Sequence, residues 1–215
     1  MKRLIFCLAL FTACLATVLA QTGPSESDNP ERTPSGPAQS PDDVYGDYVY
    51  EPIRKGDQFI RVALGFEFPL FNLGPEGIIS DTKLNTGGMG VLGYSRFINS
   101  RVSLGGELGF AFNSTLGDNM FLILPITFKT TYEFVYKDFR FPCSLSLGGV
   151  LHSYRSRNFF GPIVKPEIGA YYQYSPEWSF GLATAWNVLP QWYDESSNNR
   201  VGNNLDLAIG LRYHF

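Results

Sequence analysis

The sequence predicts an all-β protein, a closed antiparallel eight-stranded transmembrane β-barrel with up-and-down topology, preceded by a signal peptide and a disordered linker. Three observations predict it. After Asp57 the chain holds eight runs of strict apolar/polar alternation. The connections between them alternate short and long. The closing run "LAIGLRYHF" sets Leu207, Ile209, Leu211, Tyr213 and Phe215 on one face of a strand, because successive side chains point to opposite faces. Such a face needs lipid or a core to cover it.

The chain begins with Lys2 and Arg3, runs apolar from Leu4 to Leu19 and exits at Ala20. That order reads as a secretory signal peptide, residues 1–20. Thr12 and Thr17 interrupt the run, which sits at the lower limit for a spanning helix and argues against a retained anchor. Lipidation at Cys14 is the other reading, but Phe11 stands where such signals usually carry Leu. Beyond residue 20 only Cys143 remains, so no disulfide framework is expected.

Residues 21–56 are rich in Pro, Ser, Asp and Glu. They have too little apolar surface to offset ordering entropy, so a disordered tail is expected. With seven acidic and three basic residues the tail carries −4 of a chain total of −3. The signal contributes +2, which leaves the domain at 57–215 close to neutral. No basic field is present to attract nucleic acid.

Period two then recurs. Run one sets Ile60, Val62, Leu64, Phe66 and Phe68 against Arg61, Ala63, Gly65 and Glu67. Run two, about 86–97, is rich in Gly and leaves its phase open. Run three opposes Val102, Leu104, Leu108, Phe110 and Phe112 to Ser103, Gly105, Glu107, Gly109 and Ala111. In run four Leu122, Leu124, Ile126, Phe128, Tyr132 and Phe134 alternate with Thr127, Lys129, Thr131 and Glu133. Run five opposes Phe141, Cys143, Leu145, Leu147 and Leu151 to Ser144, Ser146, Gly148 and His152. Run six opposes Val164, Ile168, Ala170, Tyr172 and Tyr174 to Lys165, Glu167, Gly169 and Gln173. Run seven places Trp178, Phe180, Leu182, Thr184, Trp186 and Val188 opposite Ser179, Gly181, Ala183, Ala185 and Asn187. The eighth run sets Asp206, Ala208, Gly210, Arg212 and His214 opposite the apolar face of the closing strand.

Short turns are expected near Asn99-Ser100, Lys137-Asp138 and Ser175–Glu177. Longer connections are expected at about 72–85, 113–119, 153–161 and 190–203. Short periplasmic turns and longer extracellular loops are the rule for transmembrane barrels. With an even strand count the tail returns to the periplasmic side.

A soluble barrel turns its apolar face inward, and a membrane barrel turns it outward. The second face decides between them. It mixes Gly, Ala and Ser with the charges Arg61, Glu67, Glu107, Lys129, Glu133, Lys165, Glu167, Asp206 and Arg212. Small residues beside charges suit a narrow lumen filled by ion pairs. Aromatics gather beside the short turns, as an interfacial girdle would. Phe68, Phe110, Phe112 and Trp186 form a second group toward the other end.

On the strand count, the loop alternation, the terminal "LRYHF" and stretches such as "LPITFKTTYEF" and "GYSRFINSRVSLGGELGF", the region 57–215 resembles small eight-stranded outer-membrane proteins of the OmpA, OmpX and OmpW type. The resemblance implies residence in the bacterial outer membrane, with outer-membrane lipid as surroundings. It also implies that Leu211, Tyr213 and Phe215 form an assembly signal read by the outer-membrane assembly machinery. An OmpW-like protein would be a narrow channel for small hydrophobic molecules.

Enzymatic chemistry, a metal and a cofactor are not expected. "HSY" at His152 lacks the Ser two residues on that lipid deacylases carry, since Tyr154 stands there. Two distant histidines do not make a metal site. Opposite charges in near balance suggest a plugged interior rather than a porin-like pore, which would favour a ring of one sign. Arg155, Arg157, Phe159 and Phe160 in one loop, and Trp192 and Tyr193 in another, are candidate contacts for an extracellular ligand in structural, adhesive or host-interaction roles. Pro125, Pro142 and Pro166 fall inside runs, so bulges or register shifts are expected there.

Overall fold

The computed structural model describes residues 53–115, 117, 119–154, 157–192 and 199–215. The readings on the signal peptide and on nearly all of the tail lie outside them, as do Arg155 and Tyr193. The strands are β1 (Gln58–Leu73), β2 (Ile79–Ser80), β3 (Gly87–Phe97), β4 (Val102–Ser114), β5 (Met120–Tyr136), β6 (Phe139–Tyr154), β7 (Arg157–Gln173), β8 (Trp178–Gln191) and β9 (Arg200–His214). All pair antiparallel with their neighbours, and β1 pairs with β9 to close the barrel. The two-residue β2 only folds back on the top of β1 after a short 3₁₀ turn, so eight strands form the wall.

Alternation sorts the side chains. Leu64, Phe66, Leu92, Ile126, Phe128, Ile168, Leu182 and Ile209 point outward with 54–69% of their surface exposed. Arg61, Glu133, Glu167, Asp206 and Arg212 point inward and are at most 3% exposed. An inverted distribution of this kind is what lipid selects, because a water-facing wall would carry the charges instead. In β3, whose phase the sequence left open, Leu92 and Tyr94 face out, while Met89, Val91, Ser95 and Phe97 face in. Aromatic contacts run along the outer face near the short turns: Phe139–Tyr172 at 5.3 Å, Tyr172–Phe180 at 5.7 Å and Trp178–Tyr213 at 4.7 Å.

Closure fixes the ends of β1 and β9. Phe215 N–H donates to the Gln58 carbonyl at 2.9 Å, and Gln58 N–H donates to Phe215 at 3.1 Å. The hairpin between β5 and β6 has only Lys137 and Asp138 between strands, and Lys137 takes φ 54°. Two-residue hairpin loops demand positive φ at their first position, to match the strand twist.

Two expectations are corrected. First, Pro125, Pro142 and Pro166 shift no register. Pairing lapses beside Pro125 only toward β4, beside Pro142 only toward β7 and beside Pro166 only toward β8, and each ladder resumes in the same register. The ladders on their other sides run through, as Pro125↔Val150, Glu133↔Pro142 and Leu145↔Pro166. A residue in an antiparallel strand directs its N–H and C=O to one neighbour, so a proline weakens one seam only. The register shift in β1 instead falls between Pro69 and Phe71, against β9. Second, 153–161 is not a long loop. β6 runs to Tyr154 and β7 starts at Arg157, so Arg157, Phe159 and Phe160 are strand residues. Strands of 13 to 17 residues outrun the 9–11 needed to cross lipid.

Candidate functional site

The lumen is filled in tiers. At its centre Arg61 (β1), Glu107 (β4), Lys129 (β5) and Glu167 (β7) form a closed square. Arg61 meets Glu107 at 2.7 Å and Glu167 at 3.0 Å, while Lys129 meets Glu107 at 2.9 Å and Glu167 at 2.8 Å. Each ion therefore has two opposite neighbours, which repays desolvation better than single pairs would. Toward the short turns Glu133 accepts from Arg212 at 2.5 Å and Arg140 at 3.3 Å. Toward the long connections Lys165 pairs with Asp206 at 3.1 Å. Glu67 there accepts from Asn113 at 3.0 Å and Asn204 at 2.9 Å, and Asn187 donates to Asp206 at 2.9 Å.

Tyr171 links two tiers. Its hydroxyl accepts from Arg61 Nε at 3.1 Å, and the Arg212 guanidinium lies 3.9 Å from its ring centroid, a cation–π contact. Gly210 makes room for it, since a Cβ there would collide with the Tyr171 hydroxyl. Below, Phe59, Phe97 and His214 make a floor, and His214 is bonded to Ser179 at 3.1 Å. Met89, Val91, Ala111, Ile123, Val150, Ile163 and Leu189 form an apolar cluster, most of it packed beside Glu67, Lys165 and Asp206.

All nine charges singled out from the sequence lie in this interior. Arg140 joins them, giving five cations and five anions among the described residues. Its parity with Ser144 and Ser146 was the available signal. Tyr171 and the asparagines Asn113 and Asn204 were also missed. A gap bordering Glu67, Lys165 and Asp206 has about 10 Å³, the room of one water at most. No group of three or more His, Cys, Asp or Glu among the described residues could hold a metal.

At the long-connection end the lumen widens into a vestibule of about 660 Å³, lined among others by Lys83, Phe121, His152, Phe159, Leu189 and Arg200. Phe159 faces this space, with its ring 6.0 Å from His152. Phe160 and Trp192 are exposed outside, at 68% and 64%. The outer candidates Phe160 and Trp192 are thus separated from Phe159. Leu211, Tyr213 and Phe215 share the outer face of β9 beside the short turns, 37–56% exposed.

A protein-family model matches residues 39–213. An uncharacterized protein of Treponema pallidum (strain Nichols) is 34% identical over 189 residues, covering 83% of this chain and 85% of that protein. A second protein of that organism is 20% identical over 138 residues, covering 57% and 47%. Among solved structures, Neisserial surface protein A superposes with a TM-score of 0.59 at 12% identity, covering 75% of this chain and all of that one. At that identity the likeness shows the fold alone, a small outer-membrane barrel. By the family match and the 34% identity across most of both chains, this chain belongs to the family of the first Treponema pallidum protein.

Proposed function

We propose that the chain is a non-enzymatic protein of the bacterial outer membrane that conducts nothing through its centre and works through its extracellular end, in structural, adhesive or host-contact roles. The observation that carries this reading is the filled lumen: three tiers of ion pairs over an aromatic floor, with an apolar cluster packed beside the upper tier. Eight strands leave an interior just wide enough for side chains, and here the side chains occupy it. The signal peptide at 1–20, the periplasmic tail at 21–56 and the assembly signal at Leu211, Tyr213 and Phe215 belong to the same proposal. In planar bilayers the folded protein should give no steady conductance. A stable ohmic step would refute the closed lumen.

One observation favours a second reading, a narrow channel for small hydrophobic molecules. Among the described residues the β7–β8 ladder is last recorded at Val164↔Val188. In that register Pro162 falls opposite Pro190, and neither carries an N–H to donate. A seam with facing prolines beside an apolar-walled vestibule is where a lipophile would pass sideways into lipid. Uptake of an apolar fluorescent probe into proteoliposomes, above that of protein-free vesicles, separates this reading from the first.

A further inference from the structure

We propose that the vestibule is a blind binding site for a small organic anion with an apolar ring, a carboxylate of the benzoate class. It has the volume of a small-molecule site. One wall is aromatic and aliphatic. Phe121 lies 5.5 Å from the His152 ring, Phe159 lies 6.0 Å from it on the other side, and Leu189 continues the surface. That wall suits the flat face of a ring. His152 is 5% exposed, and neither of its ring nitrogens has a hydrogen-bond partner in this structure. A buried polar group left unmatched costs free energy that a ligand's polar end would recover. The charges set the sign of that end. The described residues lining the space include Lys83 and Arg200 and no carboxylate. Arg200 Nε is held in place by Gln191 at 2.7 Å. Glu67, deeper in the lumen, accepts hydrogen bonds from the side-chain amides of Asn113 and Asn204. A cation at the mouth, an imidazole in the wall and the apolar groups beside it then define an amphipathic anion.

The inference rests on the closed-lumen reading only in making the site blind; conductance and binding are measured separately, so either can fail alone. The chain has two histidines, His152 in the vestibule and His214 in the floor. In the full folded chain, purified without a histidine tag and labelled with ¹³C-histidine, a titration with benzoate should move the His152 ring signals saturably and leave those of His214 in place. Benzyl alcohol, of the same shape without the charge, should bind about tenfold more weakly. Lys83→Gln should weaken benzoate by about threefold and leave benzyl alcohol unchanged. The proposal is overturned if benzoate moves neither histidine or both alike, if the alcohol binds as well as the acid, or if Lys83→Gln has no effect on benzoate.

Discussion

Glu107→Gln isolates the central square. The Glu107 carboxylate holds Arg61 at 2.7 Å and Lys129 at 2.9 Å, and all three side chains are 4–5% exposed. The substitution keeps the volume and removes one negative charge. Two cations then share Glu167 alone, in an interior that admits almost no water. Removing one partner of a buried pair costs about 3–5 kcal/mol, because the charge left behind stays desolvated. Lys129→Met added to Glu107→Gln restores neutrality with an apolar chain of similar length. Replacement of buried ions by apolar groups is often close to neutral, so the double variant should recover at least about half of the loss. The assay is a urea titration of folding into lipid vesicles, followed by the tryptophan fluorescence of the barrel. A single-variant cost below about 1 kcal/mol, or a double variant no better than the single, would refute the reasoning.

Leu207 faces lipid at 46% exposure, next to the buried Asp206. Leu207→Arg should destabilise by about 2–4 kcal/mol in the same titration if it sits near the midplane; an unchanged midpoint contradicts the assignment of faces. Phe215→Asp should reduce folded protein in the outer membrane far more than folded protein obtained from purified chain in detergent, since the other strands still pair. Equal losses in both would reduce Phe215 to a packing residue. Protease added to intact cells should spare an epitope placed near Ser35; its efficient removal would reverse the proposed topology.

Most of the wall was legible because a period of two needs no tertiary context. Arg61, Glu107, Lys129 and Glu167 could be put inside from parity alone, though nothing in the sequence says that β1, β4, β5 and β7 bring each cation within 3.0 Å of both carboxylates. Arg140 escaped because the run was read from Phe141, two residues inside the strand. Tyr171 escaped for a different reason: aromatics in such a chain mostly face lipid, while this one shares parity with Gly169 and Gln173 and stacks on Arg212. Asn113 and Asn204 stood at loop margins, where polar composition reads as loop. The same bias turned Arg157, Phe159 and Phe160 into loop residues. The prolines misled because the backbone rule was applied to both sides of a strand, when each proline lacks a donor toward one neighbour only.

The account stands or falls on which face of the barrel wall meets lipid. The most direct measurement places nitroxide labels singly at positions 205–211 of β9, in a variant without the native cysteines, and records their accessibility to oxygen and to a water-soluble nickel complex in lipid vesicles. The account predicts high oxygen accessibility at 207, 209 and 211, low accessibility to both reagents at 206, 208 and 210, and therefore a period of two. High accessibility to the nickel complex at 207 and 209, or no periodicity, would contradict it.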